Sequence, residues 1–437
     1  MKLGTGKAII TPPIGTPLVG FGSRDHGSES VLDDLEVRVF WFQDADNAEE
    51  AVCIISADLL GFGDDSTQFL RDSISIEYGI TPERILLAAS HTHSGPQLED
   101  SLVGTGLCVP EVAEQILALI LGAVKDAQAN TAEVTFHAGK GLLEGYAINR
   151  RGIENGESDI KPNYGGIRDD VVTALSCRDA STGDVKAVLF HFTCHASTMG
   201  TYEITGDYPG ATRRFIEKEL GNGAVAGFLP GCFGNVRSLC LFMGGEYFRG
   251  GQPKDLELYG KALGGEVVRV VREASTEVQP RLNGVATVID LPLQEQPTRE
   301  ALEHIINDDP EDRTWRPWIP WLDKGKKVWA EFLMDKPFSP TRQLTLQRLD
   351  LADNVTLVAM GGEVCVEYGH FIKDTRPDAF MIPMGYSNGI IGYIPTAAMF
   401  PEGGYEPITS GMYFGLPAPF KPEIEEIIRK EISKILT

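Results

Sequence analysis

Two imidazoles separated by one residue are the first groups in this 437-residue chain whose type and spacing suggest chemistry. In His91-Thr92-His93-Ser94-Gly95-Pro96 they follow the apolar run Ile85-Leu86-Leu87-Ala88-Ala89. With the backbone extended, both side chains point to one side, toward a single ion. A polar His-Thr-His turn without metal is the competing reading, and the following Gly-Pro makes a turn that presents either at a strand edge. A second run, Ala187 to Cys194, contains His191 and leads into His195. Period-two alternation puts these two on one strand face. His191 reads as a satisfied structural histidine, whereas His195, where the strand should end, reads as the better ligand. A third run, Val355 to Met360, passes into Gly361-Gly362-Glu363. Alone, Glu363 reads as a cap for a following helix, since negative charge near a helix N-terminus is favourable by about 0.3–1 kcal/mol. Together with two histidines at corresponding strand ends it forms a His, His, Glu set of the kind catalytic zinc uses.

The elements that must position these groups alternate between apolar runs and helical patterns: Ala51 to Leu60, Thr67 to Tyr78, Arg84 to Ala89, Glu111 to Ala127. In the last, Ile116, Leu119, Ile120 and Ala123 fall at i, i+3, i+4 and i+7, one apolar face to lay on a sheet. Further strands are expected at Val171 to Cys177, Val185 to Cys194, Val225 to Leu229, Val355 to Met360 and Ala379 to Met384. Further helices are expected at Pro209 to Leu220, Lys254 to Glu273 and Pro422 to Leu436. The alternation predicts an α/β fold of mixed β-sheets flanked by helices, with ligands in the crevice beyond the carboxyl ends of strands. No internal repeat or low-complexity linker is legible, so residues 1–437 read as one catalytic domain. The stretch 294–340 differs: it is charged and holds Trp315, Trp318, Trp321 and Trp329, four of the five tryptophans. It reads as an insertion or lid, its aromatics either walling a cleft or pinning the loop by ordinary packing.

A hydrophobic content of 42% with 23% charged residues is that of a globular protein with a sizeable core. The net charge of −23 disfavours nucleic acid and anionic lipid surfaces as partners. Seven scattered cysteines without a Cys-x-x-Cys pair read as free thiols in a reducing compartment. The start, Met-Lys-Leu-Gly-Thr-Gly-Lys, has no signal-like apolar stretch, and no run approaches about 18 consecutive apolar residues. A cytoplasmic protein without a transmembrane segment is expected.

The residues resemble the neutral, non-lysosomal ceramidases, zinc amidases that split ceramide into sphingosine and a fatty acid. Ala8-Ile9-Ile10-Thr11-Pro12-Pro13 is similar to the family's Asp-Ile-Thr-Pro-Pro opening, His91-Thr92-His93-Ser94-Gly95-Pro96 reproduces its most specific signature, and Asn149-Arg150 matches its Asn-Arg-Ser element. The resemblance implies that His91, His195, Glu363 and Tyr393, the last in Gly392-Tyr393-Ile394-Pro395-Thr396, bind zinc. It likewise implies that His93, Arg150 and Tyr405, the last in Tyr405-Glu406-Pro407, act on the substrate. Where the family has Gly-Asp-Val-Ser-Pro, this chain has Gly234-Asn235-Val236-Arg237-Ser238, which puts a guanidinium in place of a small hydroxyl. Asn235 and Arg237 are therefore candidate substrate-binding residues. The chain is expected to be a compact relative without the family's immunoglobulin-like C-terminal domain.

The expected reaction is cleavage of an amide, or a related ester, in a small molecule, with lipids among the candidates. Zinc brings the pKa of a bound water from 15.7 toward about 7 and polarises the carbonyl. His93 and Tyr405 would serve the oxyanion, where one well-placed donor is worth about 2.7–4 kcal/mol, and Arg150 would orient the substrate. Two other readings stand beside it: a serine acyl hydrolase using Ser94 or Ser238, though neither lies in a Gly-x-Ser-x-Gly elbow, and an inactive binding protein that keeps the fold. Arg237, costly to bury unpaired beside a lipid chain, predicts a polar pocket and a substrate whose carboxylate pairs with Arg237 or Arg150.

Overall fold

The computed structural model describes the chain except residues 46, 48, 49, 101, 243, 245, 246, 308–319 and 335, and the side chains of 320–324. Its first half forms a nine-stranded sheet running Val225–Pro230, Val185–Phe192, Val171–Asp179, Ala132–Leu142, Lys2–Ile9, Glu36–Gln43, Ala51–Ala57, Ile85–Ala89, with Ser275–Glu277 paired beside Ala132–Leu142. A four-stranded sheet, Pro280–Pro292, Thr341–Ala352, Val355–Met360, Phe380–Met384, follows in the second half.

One unit generates both sheets. Two strands pair antiparallel, a third pairs antiparallel with the second, and a helical crossover brings a fourth in parallel to the third. Lys2–Ile9, Glu36–Gln43, Ala51–Ala57 and Ile85–Ala89 form the first such unit. Ala132–Leu142, Val171–Asp179, Val185–Phe192 and Val225–Pro230 form the second. Pro280–Pro292, Thr341–Ala352, Val355–Met360 and Phe380–Met384 form the third. The crossovers are the helices Asp64–Tyr78, Asp207–Leu220 and Val366–Thr375, and each unit closes with another helix, Pro110–Ala129, Pro253–Arg269 or Ile424–Ile435. Units one and two join along their first strands, through Lys2 and Leu3 against Glu133 and Ala132. Contrary to the expectation from sequence, the chain thus repeats its topology three times, because alternation and crossover length are kept while residue identities are not.

Alternation sorts the side chains into layers. Phe40, Phe42, Val52, Ile54, Leu86 and Leu189 pack against Leu349, Leu357 and Ile382 between the two sheets. Their neighbours Val39, Trp41, Cys53, Ile55 and Leu87 face the helical residues Leu70, Ile74, Ile116 and Ile120. On the far side, Leu344, Leu346 and Val358 meet Ile424, Ile428 and Ile432 of the last helix. A one-residue slip in any of these strands would exchange its two faces, at about 1.5–3 kcal/mol per large side chain removed from its layer, so the register is firmly specified. Where the first strand crosses the helix Pro110–Ala129, Gly4 and Gly6 let it approach; a Cβ at either would overlap the carbonyl of Ala127 or Ala123.

In a parallel crossover pair both strands end at the same edge, so third and fourth strands of all three units deliver their loops to shared ends of the sheets. Long insertions sit between first and second strands: residues 10–35, the hairpin Ala147–Glu154 with Glu157–Asn163, and the segment 293–340. The last contains the helices Arg299–Asn307 and Pro320–Leu333. Trp315 and Trp318, and the side chain of Trp321, lie outside the described residues. Trp329 donates to the Leu416 carbonyl at 2.8 Å, the pinning role. Among the described residues no helix is long and apolar enough to cross a membrane.

Candidate metal centre and active site

The extended backbone expected through His91-Thr92-His93 is not what brings the imidazoles together. His91 stands two residues past Ile85–Ala89 with φ +63°, a left-handed conformation that non-glycine residues adopt at a cost and only where surroundings impose it. Its amide donates to Leu59 O at 2.8 Å, holding the turn closed. His195 likewise lies three residues beyond Val185–Phe192, past the point where it could share a face with His191. His191 stays in the strand and bonds Pro383 O at 2.9 Å across the two sheets, the structural role expected of it.

Each imidazole of the site is anchored through Nδ1 on a backbone carbonyl: His91 on Leu60 at 2.7 Å, His93 on Gly20 at 3.1 Å, His195 on Phe233 at 3.4 Å. A carbonyl only accepts, so Nδ1 carries the proton and Nε2 keeps its lone pair. The three Nε2 atoms face one another at 3.1, 3.2 and 3.2 Å. Three lone pairs with no proton between them repel unless a cation joins them, and nitrogens about 2.0–2.1 Å from a tetrahedral ion stand about 3.3 Å apart. The donor set fits a divalent metal of the zinc type: three buried or half-buried neutral imidazoles, each oriented by a second hydrogen bond. Burial holds His93 and His195 well below the usual imidazole range; around His93 the other contributors are His91, Arg24, Arg237 and Arg150, and around His195 they are Arg150, His91 and His93.

Glu363, three residues past Val355–Met360, places Oε2 at 3.4 Å from His91 Nε2 and 3.8 Å from His195 Nε2. It is not the helix cap it resembled. The following helix begins at Val366, whose amide donates to Asn235 Oδ1 at 2.9 Å, so Asn235 does that work across the chain. The Asn235 amide nitrogen lies 3.1–3.2 Å from both oxygens of Glu367, and Asn235 is not among the residues lining the cavity. Ser94 and Ser238 do not line it either, and Ser238 Oγ contacts Cys240 Sγ instead of an imidazole, so a serine nucleophile finds no support.

The other expected residues converge. A cavity of about 310 Å³ is lined by His91, His93, His195, Glu363, Arg150, Tyr393, Tyr405 and Arg237, although the chain separates the first and last of these positions by some three hundred residues. Arg150 Nη2 donates to the Tyr393 hydroxyl at 2.9 Å, and its guanidinium lies 5.4 and 5.7 Å from the Tyr393 and Tyr405 rings. Sequence reasoning missed Glu406, which binds Arg150 Nε at 2.9 Å and Arg151 Nη1 at 2.7 Å. Burial raises its carboxyl, but the two arginines more than offset that and hold it below the ordinary carboxylate range. Two buried guanidiniums in succession need a buried acid, which was the available signal. Tyr386 was missed too: it repeats the left-handed turn of His91 with φ +53°, packs its ring tilted with its centroid 4.2 Å from that of His91 and sets its hydroxyl 3.4 Å from Glu363 Oε2.

The family pattern described as neutral/alkaline non-lysosomal ceramidase, N-terminal, matches residues 1–237. The chain belongs to that family. Its matched region holds His91, His93, Arg150 and His195 and ends at Arg237. Among solved structures the neutral ceramidase from Pseudomonas aeruginosa superposes with a TM-score of 0.75 at 18% identity, over 99% of this chain and 73% of that one. A structure titled ceramidase complexed with C2 gives 0.73 at 17%, over 99% and 74%. At such identity the likeness establishes a neutral-ceramidase-like fold of mixed sheets and flanking helices, which here extends past residue 237 to Glu363, Tyr393 and Tyr405. No curated protein sequence matches the chain.

Proposed function

We propose that this chain is a zinc-dependent hydrolase that cleaves an amide, or a related ester, by addition of water. The observation that carries the reading is the meeting of two Nδ1-anchored imidazoles, His91 and His195, with Oε2 of Glu363, in a cavity that also holds a third anchored imidazole, His93, with Arg150 and three tyrosines. In the proposal His91, His195, Glu363 and Tyr393 hold the ion. Bound there, zinc supplies Lewis-acid polarisation of the scissile carbonyl and lowers the pKa of water.

The chain's own residues supply the rest. His93 is the least buried of the three imidazoles, and its Nε2 accepts the proton of the attacking water and returns it to the leaving nitrogen or oxygen. The Tyr405 hydroxyl and Arg150 donate to the oxygen that gains charge; burial keeps Tyr405 protonated, above the ordinary phenol range. Glu406 keeps Arg150 fixed for that task. The products are a carboxylic acid and an amine or alcohol. A cytoplasmic setting belongs to the same proposal, on the strength of seven unbridged cysteines. The altered Gly234-Asn235-Val236-Arg237 segment is the feature that would suit an inactive binding relative; retention of Glu363, Arg150 and the three imidazoles in one cavity favours the hydrolase.

The test is to strip the metal by chelation and follow amine release from a panel of short N-acyl compounds, esters and ceramide. Activity should vanish on stripping and return with about one equivalent of zinc. Hydrolysis that survives stripping, or no hydrolysis of any panel member by zinc-loaded protein, would reject the proposal.

A further inference from the structure

Four guanidiniums gather at the site, and three are accounted for. Arg150 and Arg151 share Glu406, and Arg151 also reaches Glu402 at 3.0 Å. Arg24 is saturated by the carbonyls of Val19, His93 and Thr201. Arg237 is different. It lines the cavity and lies mostly buried, yet makes one long hydrogen bond, 3.3 Å to Ser197 O, while its Nε has no partner. Among the described residues no carboxylate comes within ion-pairing distance of it. Its face rests 5.1 Å from the Phe248 ring, which fixes the plane of the fork without neutralising it. Burial and the neighbouring Arg150 push the guanidinium down to about 10, the mark of a cation short of a counter-charge. Asp207, a buried acid whose charge reaches it, is engaged by the backbone amides of Thr198, Met199 and Tyr208.

The remainder of the cavity is small and aromatic. At about 310 Å³ it lies at the low end of small-molecule sites. Phe21, Tyr405, Tyr413 and Phe414 give it an apolar side, opposite in character to Arg237. Such a site recognises a short compound with an apolar portion and an anionic terminus.

We propose that the substrate carries a carboxylate that pairs with Arg237, which makes this enzyme a hydrolase of short acidic N-acyl or ester compounds. The inference rests on the hydrolase reading for the bond that is cut, and on Arg237 alone for the charge. A planar guanidinium with its fork open binds a carboxylate through two parallel hydrogen bonds, which a neutral carboxamide cannot match.

The experiment measures binding by calorimetry to zinc-loaded wild type, Arg237→Met and Arg237→Lys. The probes are N-hexanoylglycine and the mono-butylamide of succinic acid, each beside its own primary amide, so that the charge is presented from either side of the scissile bond. At least one acid should bind about tenfold more tightly than its amide, equivalent to about 1.4 kcal/mol. Arg237→Met should erase that preference at unchanged zinc content, and Arg237→Lys should keep part of it. Equal binding of acids and amides, or a preference that survives in Arg237→Met, overturns the proposal. Cleavage is read on the same probes and on ceramide. Acids that bind through Arg237 while no probe is cleaved sink the hydrolase reading and leave the carboxylate site standing; neutral amides or ceramide cleaved as well as the acids, or in place of them, sink this one and leave the hydrolase.

Discussion

His91 and His93 are two residues apart in sequence but are held by different parts of the chain, one by the Leu60 carbonyl just past the neighbouring strand Ala51–Ala57 and the other by Gly20 in a distant loop. That difference supports separate roles. His91→Ala removes a deeply buried ligand and should abolish both metal retention and activity. His93→Ala should retain most of the metal and lose about 10²–10⁴ in rate, the usual worth of a general acid-base group. Elemental analysis beside a rate assay separates them, and equal metal loss in both variants would make His93 a third ligand. Of this site, the histidines and Glu363 were legible because they follow apolar runs directly. Arg150, Tyr393 and Tyr405 could be recognised by family likeness alone, since they sit in insertions and loops where no periodicity marks them. Glu406 and Tyr386 escaped because their work is to hold other residues, and nothing in their local sequence shows what they hold.

At the scale of elements, each unit contributes one candidate ligand and its support from the two ends of a parallel pair. Leu60 steadies His91 in the first, Phe233 steadies His195 in the second, and Tyr386 faces Glu363 in the third. Strands such as Val355–Met360 were legible to the residue, since burial on both faces leaves an uninterrupted apolar run. Lys2–Ile9, Ala132–Leu142 and Pro280–Pro292 were not, because glycines and half-exposed polar positions blur their alternation. The first insertion supplies the sharpest test of element-level positioning. Gly20 has φ +104°, and a Cβ there would lie 2.5 Å from His93 Nδ1. Gly20→Ala should therefore displace the His93 ring and lower activity about 10–100-fold, the scale typical for loss of a supporting contact at a metal site. Circular dichroism should show the fold intact; wild-type activity in this variant would mean that Gly20 does not hold His93.

Over the whole molecule, two sheets close on a common apolar layer, and His191 is a buried polar group that bridges them. Burial, with Lys373 nearby, pushes its imidazole down to about 4, against about 6.5 in the unfolded chain. The folded state favours the neutral form, so below about pH 6.5 the unfolded chain binds a proton that the folded one does not. Stability from this group is fully present above pH 6.5 and is lost as pH falls toward 4. Urea unfolding of zinc-free protein at pH 7.5 and 5.5 should show a loss larger by about 1 kcal/mol in wild type than in His191→Gln, in which acid repulsion across the −23 net charge is the same. Equal losses would assign the pH dependence elsewhere.

All of these scales meet at one place, the point between Nε2 of His91, Nε2 of His195 and Oε2 of Glu363, each delivered by a loop at a strand end. Its occupancy is the central claim. The most direct measurement is anomalous diffraction at the zinc edge from crystals of the zinc-loaded protein. A single strong peak about 2.0–2.2 Å from Nε2 of His91 and of His195, with Glu363 and Tyr393 completing its shell, is the predicted result. A zinc-loaded crystal with no anomalous peak between these histidines, or with its peak elsewhere in the molecule, would contradict the account.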